Sequence, residues 1–125
     1  MTTKVRSHTE GVRLARYRDE FEYPSVEGKW RDIFQRNTDS GDYEKITRVY
    51  AIYSYGSHFP MYVWDEQTCE WYGNSDKYSR TTSSHQSKYR PSEVARWFDT
   101  TALKRIVDRG MANYIISRME NGLPE

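Results

Sequence analysis

At 125 residues and 14.9 kDa the chain is long enough for one modest core, and its low hydrophobic content (36%, mean hydropathy −1.00) is offset by eleven Tyr, four Trp and four Phe, rings that disordered chains lack. A net charge of +1 excludes a strong global field, and a single cysteine, Cys69, excludes an internal disulfide or a Cys-based zinc site. Apolar runs such as 49–53 are far too short to cross a bilayer, and no paired-histidine metal motif is present.

Residues 1–11 are polar and read as loose, and 12–21, with Val12, Leu14, Tyr17 and Phe21 among arginines, fit neither period. Val26, Trp30, Ile33 and Phe34 fall at helical spacing after Pro24-Ser25, which predicts a helix over 25–35. The run 37–42 (N-T-D-S-G-D) is turn chemistry. Residues 46–55 are β-branched and aromatic and alternate, Val49, Ala51, Tyr53 and Tyr55 on one face, Tyr50 and Ile52 on the other. Strands at 59–64 and 69–72, joined by a turn at 65–68, complete an antiparallel meander.

Residues 77–90 hold six Ser/Thr and no aliphatic residue, and read as a long ordered loop of the functional kind. Pro91-Ser92 then opens a helical region with Val94, Trp97 and Phe98 on one face. A second cap at Asp99 leads into Leu103, Ile106 and Val107, and Gly110 either ends that helix or interrupts one reaching Met119. The expected fold is α+β: one domain over 1–125, its core at about 12–120, with a short antiparallel sheet of three or more strands packed against N-terminal and C-terminal helices. Trp30, Phe34, Trp97, Phe98, Ile106 and Val107 are expected to be buried against it.

Charge is uneven along the chain. Lys77, Arg80, Lys88 and Arg90 carry a local +4 over 77–90, and residues 1–18 carry five cations against Glu10. Such clusters are more often solvated faces than sites. Yet hydroxyls beside cations suit an oxyanion, which gives a candidate ligand set of Ser57, His58, Lys77, Tyr78, Arg80, Thr81, Thr82, Ser83, His85 and Lys88. Tyr78 and Tyr89 have rings that can stack on bases. The competing view is that the hydroxyls satisfy the segment's own backbone, fixing it against the strand end at 53–58. Gly56 with φ > 0 would turn the chain there and set Ser57 and His58 at the sheet rim.

An aromatic surface of Tyr62, Trp64, Trp71 and Tyr72 offers a second kind of interface, for a protein partner. A third reading is metal-independent phosphodiester cleavage by His58 and His85, one as base and one as acid. His85-Gln86-Ser87 matches half of an H-x-[ST] pair, whereas His58-Phe59-Pro60 has proline in place of the hydroxyl.

Tyr53-Ser54-Tyr55-Gly56, Pro60, Trp64 and the run Tyr78-Ser79, Thr81-Thr82-Ser83, His85-Gln86 together resemble a small domain encoded by many bacteriophages and some archaeal viruses. The match covers roughly a third of the chain and leaves both flanks unmatched. The resemblance implies a viral origin and no assigned reaction. The expected function is that of a non-enzymatic viral accessory protein in the host cytoplasm. Its partner is a host or viral protein, or nucleic acid, with no cofactor, metal or membrane implied and the oligomeric state open.

Overall fold

The computed structural model describes residues 2–56 and 58–120. It is α+β. In chain order its elements are β1 (Thr3–Lys4), α1 (His8–Arg16), β2 (Phe21–Tyr23), β3 (Val26–Arg36), β4 (Tyr43–Ser54), β5 (Pro60–Asp65), β6 (Glu70–Asn74), α2 (Arg80–Tyr89), β7 (Arg96–Phe98), α3 (Thr100–Arg109) and α4 (Met111–Glu120). The strands form one sheet in sequence order, β1 to β7. The predicted meander is its antiparallel middle, β4-β5-β6, and both edges are parallel pairs, β1 with β2 and β6 with β7. A parallel pair needs a crossover, and α1 and α2 supply one at each edge.

Both faces of the sheet are covered. Ile33, Val49, Ala51, Tyr53, Val63 and Tyr72 pack under Leu103, Ile106, Val107, Met111 and Tyr114 of α3 and α4. On the other side Phe21, Val26, Tyr50, Ile52, Met61 and Tyr62 pack under α1 and α2 through Ala15 and Tyr89. Most of the tyrosines that lie in this core keep their hydroxyls bonded. Tyr50 donates to the Asp19 carbonyl (2.7 Å), Tyr62 to the Gln86 carbonyl (2.6 Å), and the Trp30 indole to the Arg18 carbonyl (2.7 Å). This is how a chain with so few aliphatics holds a core: large rings exclude water while their polar tips stay paired.

Four sequence expectations change. The apolar residues at 26–34 belong to strand β3, paired with β4 from Val26↔Ser54 to Arg36↔Tyr43. Their helical spacing arises because Val26 and Trp30 face α1 and α2 while Ile33 faces α3 and α4; Phe34, beyond a bulge, is 56% exposed. The loop at 77–90 is mostly helix α2, capped by Ser79, whose hydroxyl accepts from the Thr82 amide at 3.1 Å. The N-terminal stretch forms β1 and α1, with Ser7 as N-cap accepting from Glu10. No helix starts at Ser92: β7 sends Trp97 toward Tyr62 and Phe98 toward Tyr72 and Tyr114, so Trp97 stays 42% exposed and Phe98 half-buried.

The predicted Asp99 cap is present, accepting from the Ala102 amide at 2.8 Å. Gly110 ends α3 with φ 82 and ψ 156, a conformation open essentially to glycine alone. α4 starts directly after it, and the buried Asp65 carboxylate receives the Met111 amide at 2.7 Å. Thr47 and the Gln67 amide donate to the other oxygen of Asp65. One carboxylate from β5 thereby positions the last helix. No helix among the described residues is long and apolar enough to cross a membrane.

Candidate ligand-binding cleft

An open cleft of about 1070 Å³ lies where the end of β4, the chain after β6 and the first turns of α2 and α3 converge. The β4 side gives Ser54, Tyr55, His58 and Phe59; the α2 side gives Lys77, Tyr78, Ser79, Thr81 and Thr82; α3 gives Thr100 and Lys104, and Asp76 closes the set. Gly56, with the positive φ of 80° expected of it, makes the turn that leads from Tyr55 to His58. Tyr55 and Tyr78 present their rings outward, 57% and 82% exposed, while Phe59 lies beneath Tyr78 with ring centroids 5.7 Å apart.

The first turn of α2 carries no acidic residue. Ser79 occupies the Thr82 and Ser83 amides with its hydroxyl and carbonyl, leaving those of Arg80 and Thr81 for an outside acceptor. Together with the Lys77 and Lys104 ammoniums these favour negative charge in the cleft. Asp76 opposes it, but its carboxylate is bonded to the Thr100 amide (2.9 Å) and hydroxyl (2.7 Å) at the start of α3. Those same bonds hold its pKa below the ordinary carboxylate value.

Of the residues picked from the sequence, His58, Lys77, Tyr78, Thr81 and Thr82 line this cleft, and Ser57 lies outside the described residues. Arg80 is exposed on the first turn of α2, Ser83 is half-buried, and Lys88 sits at the far end of that helix. His85 is buried beneath it. Its Nδ1 lies 2.8 Å from the Ser54 hydroxyl and its Nε2 3.4 Å from that of Ser25. Burial, then the nearby His8 and Lys88, lower its pKa, which favours the neutral ring. Among the described residues no hydrogen bond or ring contact joins it to His58. Ser54 on His85 has the form of a nucleophile and base, but Ser54 is itself only 1% exposed.

The aromatic quartet does not form a surface. Tyr62 and Tyr72 are buried on opposite sheet faces, because consecutive strand residues point opposite ways and β5 and β6 pair them through Gly73 and Val63. Trp64 and Trp71 stand opposite each other, half-buried, and Arg18 lies over Trp64 at 4.1 Å. Tyr89, offered as a stacking ring, is also core, stacked on Phe21.

The candidate ligand set lacked Ser54, Tyr55, Phe59, Asp76, Ser79, Thr100 and Lys104, all of which line the cleft. Tyr55 looked like the next inward residue of a regular strand, and Lys104 lies on the polar side of a helix far along the chain from Lys77. Only the fold brings them together. No protein-family model, curated protein or solved structure matches the chain.

Proposed function

We propose that the protein is a non-enzymatic binding module whose cleft takes a phosphate bearing a planar ring: a nucleotide, free or within a single strand. The observation that carries this reading is the convergence of Lys77, Lys104 and the acid-free start of α2 with two exposed tyrosines in one open cleft. Phosphate oxygens suit ammoniums, hydroxyls and helix-start amides, and exposed phenol rings suit base stacking. The burial of His85 between two serines weighs against its sharing acid–base chemistry with His58. The burial of Tyr62 and Tyr72 weighs against docking on a protein through the aromatic quartet. The likeness of its Tyr-Ser-Tyr-Gly and Tyr-Ser-x-Thr-Thr-Ser-x-His-Gln runs to viral domains supports an accessory role in an infected host.

The test is amide chemical-shift mapping with inorganic phosphate, mononucleotides and short single strands. Shifts at 77–82 and at 100–104 that grow from phosphate to nucleotide are expected. Shifts confined to other surfaces, or none with any probe, would refute the reading. Larger effects with the strand than with the mononucleotide would identify the polymer as the ligand.

A further inference from the structure

The two basic clusters of the sequence, near the N-terminus and in 77–90, meet on the face made by α1 and the end of α2. Two adjoining grooves run there and share Val12 and Arg16. One is lined by His8, Arg13, Arg16 and Lys88, the other by Arg16, Arg18, Arg90 and Ser92. Among the described residues lining these grooves, Arg13, Arg16, Arg18, Lys88 and Arg90 are opposed only by Glu10.

No ion pair within the described residues occupies any of these five; the ion pairs present involve Lys29, Arg31, Lys45 and Arg48 instead. Arg18 and Arg90 rest on the rings of Trp64 and Trp97 at 4.1 and 5.1 Å, which fixes their direction without neutralising them. Arg13 and Arg16 are one turn apart on α1, and both are exposed, as are Lys88 and Arg90. The positive field reaches His8, whose pKa is lowered by burial and then by Lys88.

We propose that this face is a second binding surface, for the phosphate backbone of a nucleic-acid duplex, contacted without base readout. Five cations with almost no counter-charge on a protein of net charge +1 are a local footprint rather than a general bias. The rings lining the grooves, His8, Trp71 and Tyr89, are half-buried or buried, so the grooves themselves offer charge for phosphates rather than an exposed ring for stacking an unpaired base. It is separate from the cleft: Thr81, which lines the cleft, and Lys88 lie toward opposite ends of α2, roughly 10 Å apart along its axis.

The experiment is fluorescence anisotropy with a labelled duplex of about 20 base pairs and random sequence, across roughly 50 to 200 mM salt. Wild type is expected to bind with affinity falling steeply with salt and indifferent to sequence. The triple variant Arg13→Gln/Arg16→Gln/Lys88→Gln should bind at least about tenfold more weakly at the lowest salt, with a log–log slope shallower by about three. Single replacements should each reduce the slope by about one, which keeps the test informative if the triple variant folds poorly. Lys77→Gln/Lys104→Gln in the cleft should leave duplex binding unchanged, so this surface and the cleft stand or fall separately. The proposal is overturned by absence of duplex binding at low salt, by salt-independent binding, by a triple variant that binds like wild type, or by capture of anionic vesicles without duplex.

Discussion

His85 illustrates how one side chain ties the sheet to the helix that forms the cleft. It hangs from the middle of α2 and meets Ser54 at the end of β4, so the wall of the cleft is anchored from below. Replacing it with alanine leaves the Ser54 hydroxyl buried and unpaired, and should cost about 1–3 kcal/mol in chemical denaturation. Its proton balance adds a pH dependence. Both His85 and His8 have folded pKa values below the ordinary 6.5, so below that pH the unfolded chain binds protons that the folded chain refuses. Stability is therefore complete above about pH 6.5 and declines as the pH falls. An unfolding free energy that rises on acidification from neutrality to pH 5.5 would contradict this placement of the two rings, and His85→Ala should flatten the decline.

At the scale of elements, the antiparallel centre was legible because 46–55 is β-branched and aromatic and alternates between faces, and turn residues separate it from the strands that follow. β3 was not, since its apolar residues serve two different faces and so imitate a helix. α2 was not, since it is short, has no aliphatic residue and is held by polar contacts from Ser54, Tyr62 and its own Ser79 cap. Residues meant for the cleft were therefore half visible: the hydroxyl-rich segment was found, but as a loop, and its partners on α3 were not. The altered geometry of 96–98 changes an energetic expectation. Trp97→Ala should cost less than the full burial of a tryptophan implies, and less than Ile106→Ala, which empties a fully enclosed site at about 2–5 kcal/mol. Equal or reversed losses in urea melts would argue against β7. The junction of α3 and α4 depends on Gly110 and Asp65. Gly110→Ala should lose about 1–3 kcal/mol to backbone strain, compounded by a methyl 3.2 Å from Thr47 Cγ2. A stabilised alanine variant would show that this junction is built differently.

Across the whole molecule, the sheet ends in a parallel crossover at each edge, and the helix in the second of these lies between the proposed binding cleft and the proposed basic surface. Its start faces the cleft with Lys77, Thr81 and, across from them, Lys104; its end joins the basic face with α1. On the proposed function the cleft holds phosphate through those lysines. The most direct measurement is calorimetric titration of wild type and Lys77→Gln/Lys104→Gln with the nucleotide that gives the largest amide shifts. Both lysines form no ion pair within the described residues, so the variant should keep the wild-type melting temperature. It should lose at least about tenfold in affinity, the scale of one lost charge-assisted contact or more. An affinity equal to wild type at an unchanged melting temperature would contradict the proposed function.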